Sequence, residues 1–366
     1  MKNPAEQGPV NETHRDTPRI AAAASAFPRH YYHQEEIAAA LKRHWSSKLA
    51  SVRGLDRLLS RVGVEGRHLA LPIDAYDDLT TWGKSNDAWI EAAEDLAEQS
   101  ICRALTRAGM SERDLDAIFF VSVTGVASPS IDARLMNRMN LRRDIKRNPI
   151  FGLGCVAGAA GIARASDYVR AYPEQVAVLV SVELCSLTWQ RNDLSVPNLI
   201  SSGLFGDGSA AVIVAGNERP VHGPQVLGSR SSFYRGTEDV MGWDISEHGF
   251  KIVLSPEVPS MVRKYLAGDV DALLEDYGLA REDIGSWIMH TGGPKVLEAT
   301  AESLGLPEHA LDVSWKSLRR VGNLSSASVL LVLEEYMNRR RPAPGSYSML
   351  AAMGPGFCAE LVLLRW

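Results

Sequence analysis

"CVAGAAGIARASDYVRAY" (155–172) and "NLSSASVLLVLEEYMNRR" (323–340) decide how the chain is read. Each begins on a residue with chemistry, Cys155 or Asn323, and continues as a helix with small residues in its first two turns and larger ones later. A helix apolar on every side is a buried helix, and small side chains let it approach its neighbours closely. Outward from each helix the surroundings match. "GMSERDLDAIFFV" (109–121) precedes the first, and "GLAREDIGSWIMH" (278–290) precedes the second. Both read as a glycine helix stop, a short acidic link and a buried strand. "GDGSAAVIVAG" (206–216) and "GPGFCAELVLL" (354–364) come later, each a glycine turn leading into a strand. Three paired features in one order indicate a duplicated unit. The expected fold is α/β, with two pseudo-symmetric halves whose central helices meet in a layered core. The polar, turn-rich "GNERPVHGP" (216–224) marks the boundary, giving a disordered tail over 1–18, an N-terminal half over 19–220 and a C-terminal half over 221–366.

The bulk properties agree. The chain has 366 residues and is 45% hydrophobic, enough for a large core. A net charge of −5 gives no reason to expect nucleic acid or an anionic membrane as partner. The polar start lacks the apolar segment of a signal peptide, and no apolar run reaches the ~20 residues that span a bilayer. Four scattered cysteines make neither a disulfide framework nor a zinc pattern, so the expected setting is reducing cytoplasm. Nine histidines show no HxxxH or HExxH spacing, so no metal is expected. The glycines of "GLGCVAGAAG" (152–161) do not follow the dinucleotide fingerprint either. Residues 91–109 read as an amphipathic surface helix, with Cys102 and Cys358 in the core.

The duplication brings three residues together. Cys155 heads one central helix, Asn323 heads the other, and His290 ends the strand before "TGGP". A helix N-terminus and a nearby imidazolium both favour thiolate over thiol. That makes Cys155 a candidate thioester-forming nucleophile. His290 and Asn323 can together donate hydrogen bonds to one carbonyl oxygen and stabilise an enolate or oxyanion.

At these residues the chain resembles the type III polyketide synthases of the chalcone-synthase superfamily, which have a thiolase-like layered αβαβα fold. The resemblance rests on "GLGCVAGAAG", "LFGDGSAA" (204–211), "MHTGGPKVLEA" (289–299), "GNLSSAS" (322–328) and "AMGPGF" (352–357). It implies an acyltransferase in which Cys155 carries the starter and the growing chain, while His290 and Asn323 drive decarboxylation of malonyl-CoA. It implies that Phe205 gates the coenzyme A tunnel and that Gly354, Pro355 and Gly356 shape the cyclisation cavity. Thr124, Ser128, Cys185, Thr188 and Ile252 align with cavity-lining positions, Ser128 with its floor and Ile252 with a second gatekeeper phenylalanine. Arg53, Arg57 and Arg61, four apart on one helix face, and Lys295 align near the coenzyme A phosphates, which arginine pairs well. The resemblance further implies a homodimer and no cofactor beyond coenzyme A thioester substrates. Small cavity residues, with "ELCSLTWQ" (183–190) and "MGWDI" (241–245), point to medium- or long-chain aliphatic starters and an alkylpyrone or alkylresorcinol product. A single-condensation priming ketoacyl-carrier-protein synthase and a Cys-His thioester hydrolase stay open as alternatives.

Overall fold

The computed structural model describes residues 17–45 and 54–366. Most of the tail expected over 1–18 lies outside the described residues, as does Arg53. Thr17 and Pro18 do not belong to such a tail: both are buried, and the Pro18 carbonyl accepts from Val226 N at 2.8 Å.

The described residues hold thirteen strands: β1 (Arg19–Ala26), β2 (His30–His33), β3 (Gly66–Leu69), β4 (Ala117–Val121), β5 (Lys146–Ile150), β6 (Val176–Leu184), β7 (Asp207–Ala215), β8 (Gln225–Phe233), β9 (Met241–Ser246), β10 (Gly249–Leu254), β11 (Ile284–Met289), β12 (Tyr347–Gly354) and β13 (Cys358–Arg365). The α-helices are α1 (Gln34–Trp45), α2 (Leu55–Ser60), α3 (Trp82–Ala108), α4 (Ile131–Arg138), α5 (Ala157–Ala171), α6 (Val196–Leu204), α7 (Val258–Glu275), α8 (Pro294–Leu304), α9 (Asp312–Val321) and α10 (Ala327–Asn338).

Nine strands form one continuous sheet in the order β11-β12-β13-β8-β1-β7-β6-β4-β5. Its two arms repeat each other. From β4 to β1 the pairings are parallel (β4 with β6), antiparallel (β6 with β7) and antiparallel (β7 with β1). From β11 to β8 they are again parallel, antiparallel and antiparallel, through β12 and β13. β1 and β8 join the arms through the single pair Arg19↔Gln225.

The repeat extends to local geometry. Gly109 and Gly278 both stop their helices in the left-handed region, at φ +66° and +65°. Each is followed by a single 3-10 turn, Glu112–Asp114 or Arg281–Asp283. The Asp114 and Asp283 carboxylates accept from Ser111 N at 2.9 Å and Ala280 N at 2.8 Å.

The strands are near-continuous apolar runs because both faces are covered. On β7, Ala210, Val212 and Val214 face a core built around α5 and α10, while Ala211, Ile213 and Ala215 face one under α3. On β13, Val362 and Leu364 turn toward α5 and α10, and Leu361 and Leu363 toward the α7 layer. The layers are thus α3, the N-terminal arm, α5 with α10, the C-terminal arm, and α7 with α8, as the expected layered fold requires.

α3 departs from the expected helix. It begins at Trp82, nine residues before residue 91, because Thr81 caps it by accepting from Lys84 N at 3.3 Å. Its buried face packs on the sheet rather than lying on the surface alone, and Cys102 is half-buried on its side. Cys358 is likewise half-buried.

The central helices touch at glycine. A Cβ on Gly158 would overlap the Ser326 carbonyl oxygen, and one on Gly161 would overlap Leu179. Backbone cannot yield as a side-chain tip can, so Gly158→Ala is expected to cost about 1–3 kcal/mol. Urea unfolding of the two proteins measures it; an unchanged midpoint would show that α5 and α10 do not pack this closely.

Candidate active site

Cys155 sits in a 3-10 turn (Gly154–Val156) that leads directly into α5. The turn is held from behind by "GPG" (354–356). Gly154 has φ +55°, and a Cβ there would stand 2.6 Å from the Pro355 ring. A Cβ on Gly354 would stand 2.9 Å from Val156 N and 3.2 Å from Cys155 N. Glycines at both places let two turns stack backbone against backbone.

Asn323 does not head α10 as its place in the sequence implied; Ser326 is the N-cap of that helix. Asn323 instead forms a one-residue parallel bridge with Phe205. Its N–H donates to Leu204 O at 2.9 Å, and its carbonyl accepts from Gly206 N at 3.0 Å. Gly322, at φ +76°, makes this possible, since a Cβ would lie 2.6 Å from Leu204 O. The Asn323 Oδ1 accepts from Ser325 N at 2.8 Å and Ser328 Oγ at 3.3 Å. That fixes the amide orientation and leaves Nδ2 as a donor. His290 comes directly after β11, its N–H donating to Ala351 O at 3.0 Å.

Cys155, His290 and Asn323 line one cavity of about 50 Å³. All three are buried, at 6%, 7% and 2% exposure. Burial opposes the expected thiolate–imidazolium pair. Burial pushes the Cys155 thiol up to about 12, aided by the nearby Glu183 charge and opposed by the Ser325 hydroxyl 3.7 Å away. Burial pushes His290 down to about 4, and its Nδ1 has no hydrogen-bond partner among the described residues. Desolvation is the largest cause in both. Burial thus favours the neutral form of both groups, and Cys155 becomes nucleophilic when its proton leaves.

Phe205 lines both this cavity and a larger one of about 450 Å³. Cys185, Thr188 and Ile252 line the larger one, together with Trp243, which faces Ile252 across the β9–β10 hairpin. Other expected lining residues lie elsewhere. Thr124 is buried and donates to Glu183 at 3.0 Å, lining neither cavity. Ser128, expected as cavity floor, is exposed beside Pro129, so within one chain it forms no floor. Gly354 and Pro355 pack on the Cys155 turn and Gly356 on Phe233, and none of the three lines either cavity.

Arg57 lies on α2 and Arg61 is its C-cap, both exposed. Lys295 is exposed in the first turn of α8. Gly63 packs on Pro294, its Cβ position 3.0 Å from the ring, which sets the Arg61 loop against the start of the Lys295 helix. Neither Arg57, Arg61 nor Lys295 forms an ion pair among the described residues, so their charges remain open to an anion.

Sequence reasoning missed Glu183 and Arg67. Glu183 is fully buried behind Cys155, accepts from Val123 N at 3.1 Å and from Thr124 and Ser326 hydroxyls, and is pushed up to about 7 by burial. A lone acid inside the apolar strand "VAVLVSVEL" (176–184) was the available signal.

Family models for chalcone and stilbene synthases match residues 9–218 (N-terminal domain) and 225–366 (C-terminal domain). The chain belongs to this family. It is 49% identical over 350 residues, 95% of this chain and 93% of the relative, to a 1,3,6,8-tetrahydroxynaphthalene synthase of Streptomyces peucetius subsp. caesius. It is 31% identical over 359 residues, 95% of this chain and 90% of the relative, to a 3,5-dihydroxyphenylacetyl-CoA synthase of Streptomyces toyocaensis. The crystal structure of the 1,3,6,8-tetrahydroxynaphthalene synthase of Streptomyces coelicolor A3(2), a bacterial type III polyketide synthase, superposes with a TM-score of 0.90 at 33% identity, covering 95% of this chain and 99% of that one. The protein is a type III polyketide synthase, an acyltransferase of iterative decarboxylative condensation on coenzyme A thioesters. Among the described residues no helix is long and apolar enough to cross a membrane.

The lowered His290 value gives a pH test. An imidazole that protonates only near 4 stays neutral above about pH 5. Malonyl-CoA decarboxylation by Cys155→Ala, which removes the thiol's own titration, is expected to be flat from about pH 5.5 to 8. A steady-state profile with an inflection near 6.5 would mean that His290 titrates as a solvated histidine.

Proposed function

We propose that this enzyme condenses malonyl-CoA alone into a five-unit polyketide and closes it to 1,3,6,8-tetrahydroxynaphthalene. What carries the reading is the 49% identity, along 95% of the chain, to a synthase named for that product. The product's chemistry fixes the rest. It has ten carbons, all in the rings, hence five two-carbon units and no side chain from another starter. The terminal carbon must itself form a ring bond, so it needs the activation that a starter carboxylate provides when lost as carbon dioxide. Five malonyl-CoA yield one tetrahydroxynaphthalene, five carbon dioxide, five coenzyme A and one water.

Cys155 takes the starter acyl group by thioester exchange, its proton passing to His290 and then to the departing coenzyme A sulfur. His290 and Asn323 Nδ2 donate to the malonyl thioester oxygen as the C–C bond to the carboxylate breaks. The resulting enolate carbon attacks the acyl carbonyl on Cys155 and expels the sulfur, leaving a chain longer by two carbons on coenzyme A. Return of that chain to Cys155 allows the next round. Arg57, Arg61 and Lys295 take the coenzyme A phosphates, and no further cofactor enters this scheme. In a dry cavity each fixed donor counts for more than in water. Phe205 separates the reacting centre from the larger cavity, where Thr188, Ser201 and Ser202 oxygens can accept from enolised polyketide hydroxyls.

The aliphatic-starter reading is the second, and one feature favours it: Ile37, Leu41, Leu69, Ile73 and Ile252 give the larger cavity an apolar side that would suit an alkyl chain. A homodimer is also proposed, supported by the free edge of β5 and by Phe151 beside it, 49% exposed.

Malonyl-CoA as the only thioester, with products read by mass spectrometry, distinguishes the readings. The expected product is tetrahydroxynaphthalene, absent with Cys155→Ala. No product until hexanoyl-, lauroyl- or palmitoyl-CoA is added would replace the first reading by the second. Asn323→Ala is expected to slow malonyl-CoA decarboxylation about 10²–10³-fold, the usual cost of losing one oxyanion donor; a loss under threefold would remove Asn323 from the chemistry.

A further inference from the structure

Arg67, on β3, is only 2% exposed. Among the described residues it makes no hydrogen bond to an acidic side chain. Its guanidinium donates to the carbonyls of Ser202 and Gly203 and, at 2.9 Å, to Gln34 Oε1. Gln34 Nε2 in turn donates to Gly203 O at 3.0 Å and Leu59 O at 3.4 Å. Ser202 and Gly203 belong to the last turn of α6, where carbonyls lack helical partners and a cation is favoured.

The clamped turn leads straight into the gate. Phe205 is the C-cap of α6, and the residues on either side of it hold Asn323 through the bridge of 2.9 and 3.0 Å. Just past the gate, Asp207 accepts from Ala70 N at 2.6 Å and Ser186 N at 2.8 Å. Arg67 and Ala70 are three residues apart on one segment. That segment therefore grips the chain on both sides of Phe205. Gly203 adds a contact with α2, since a Cβ there would overlap Leu59. The helix bearing Arg57 is thus packed on the same clamp.

We propose that Arg67 is a positioning residue for the condensation: by holding the last turn of α6 it fixes, through Leu204 and Gly206, where Asn323 presents its amide and where Phe205 stands. An apolar side chain of equal size would fill the space, leave the Ser202 carbonyl and Gln34 Oε1 without this donor, and leave Gly203 O with Gln34 Nε2 alone. Among the described residues Arg67 Nε has no hydrogen-bond partner, so the group is arranged for the end of α6 rather than for its own complete solvation. The inference rests on the reading of Asn323 as the enolate's donor.

The test uses the full-length enzyme, Arg67→Met and Arg67→Lys, with malonyl-CoA decarboxylation, Cys155 labelling by iodoacetamide and thermal melting as readouts. Arg67→Met is expected to lower kcat about 10–100-fold, the scale of a misplacement near 1 Å. KM for malonyl-CoA should stay within about twofold, and the labelling rate should not change. Arg67→Lys should recover part of kcat, since one ammonium cannot span all three acceptors. In an Asn323→Ala background, Arg67→Met should add little, because both act on one donor. Wild-type kcat in either folded variant, or a full additional loss in the Asn323→Ala background, overturns the proposal. If Arg67→Met does not fold, Arg67→Lys carries the same two outcomes. A wild-type enzyme that decarboxylates malonyl-CoA but makes another product overturns the product reading alone.

Discussion

The contact between Gly158 and the Ser326 carbonyl is the constraint on which the site depends. It lets the two central helices meet at their N-terminal ends instead of along side chains. Cys155 precedes one helix by two residues, and Asn323 precedes the other by four. Closeness at the glycine thus becomes closeness of the reacting groups: the Cys155 sulfur and the Ser325 hydroxyl are 3.7 Å apart across the junction of the halves. Ser325 holds φ +45°, a conformation rare for a residue with a side chain. In that conformation its N–H reaches Asn323 Oδ1, which aims the amide.

That junction is buried, and burial sets its electrostatics. Cys155, Glu183 and His290 are all shifted toward their neutral forms, and burial is the largest cause for each. Glu183 bears this with hydroxyl and backbone donors on both oxygens, from Ser122, Val123, Thr124 and Ser326. These donors come from both halves, so the carboxyl also fastens β6 to the approach of α10. The same burial makes each well-aimed donor count for more toward an enolate than it would in water.

Much of this was legible in the sequence, and the reason is the duplication. Matching glycine stops, acidic links and small-residue helices predicted the two arms, and the helix heads named Cys155 and Asn323 with His290. What was not legible depended on distance rather than pattern. Nothing in "GNLSSAS" says that Asn323 will bridge Phe205 and not cap a helix. Nothing near Cys155 says how deeply the thiol will be buried. Thr124 and Ser128 aligned with cavity positions, yet one serves Glu183 and the other faces outward. Arg67 carried no reading in the sequence, and only the fold shows it as a buried clamp six residues beyond the exposed Arg61.

The position of β1 has a consequence for synthesis. Arg19–Ala26 lies in the middle of the finished sheet and pairs along its length only with Asp207–Ala215, about 190 residues later. At ~5–20 residues per second the ribosome needs on the order of ten seconds or more to deliver that partner. Through this interval the first strand must remain unpaired beside a nascent chain rich in valine and isoleucine. Its sequence, RIAAAASA, suits the wait. Alanine and serine form strands weakly and offer little surface to a wrong neighbour. The small residues that let α3 and α10 close over β1 in the native state also keep it from finding the wrong sheet beforehand.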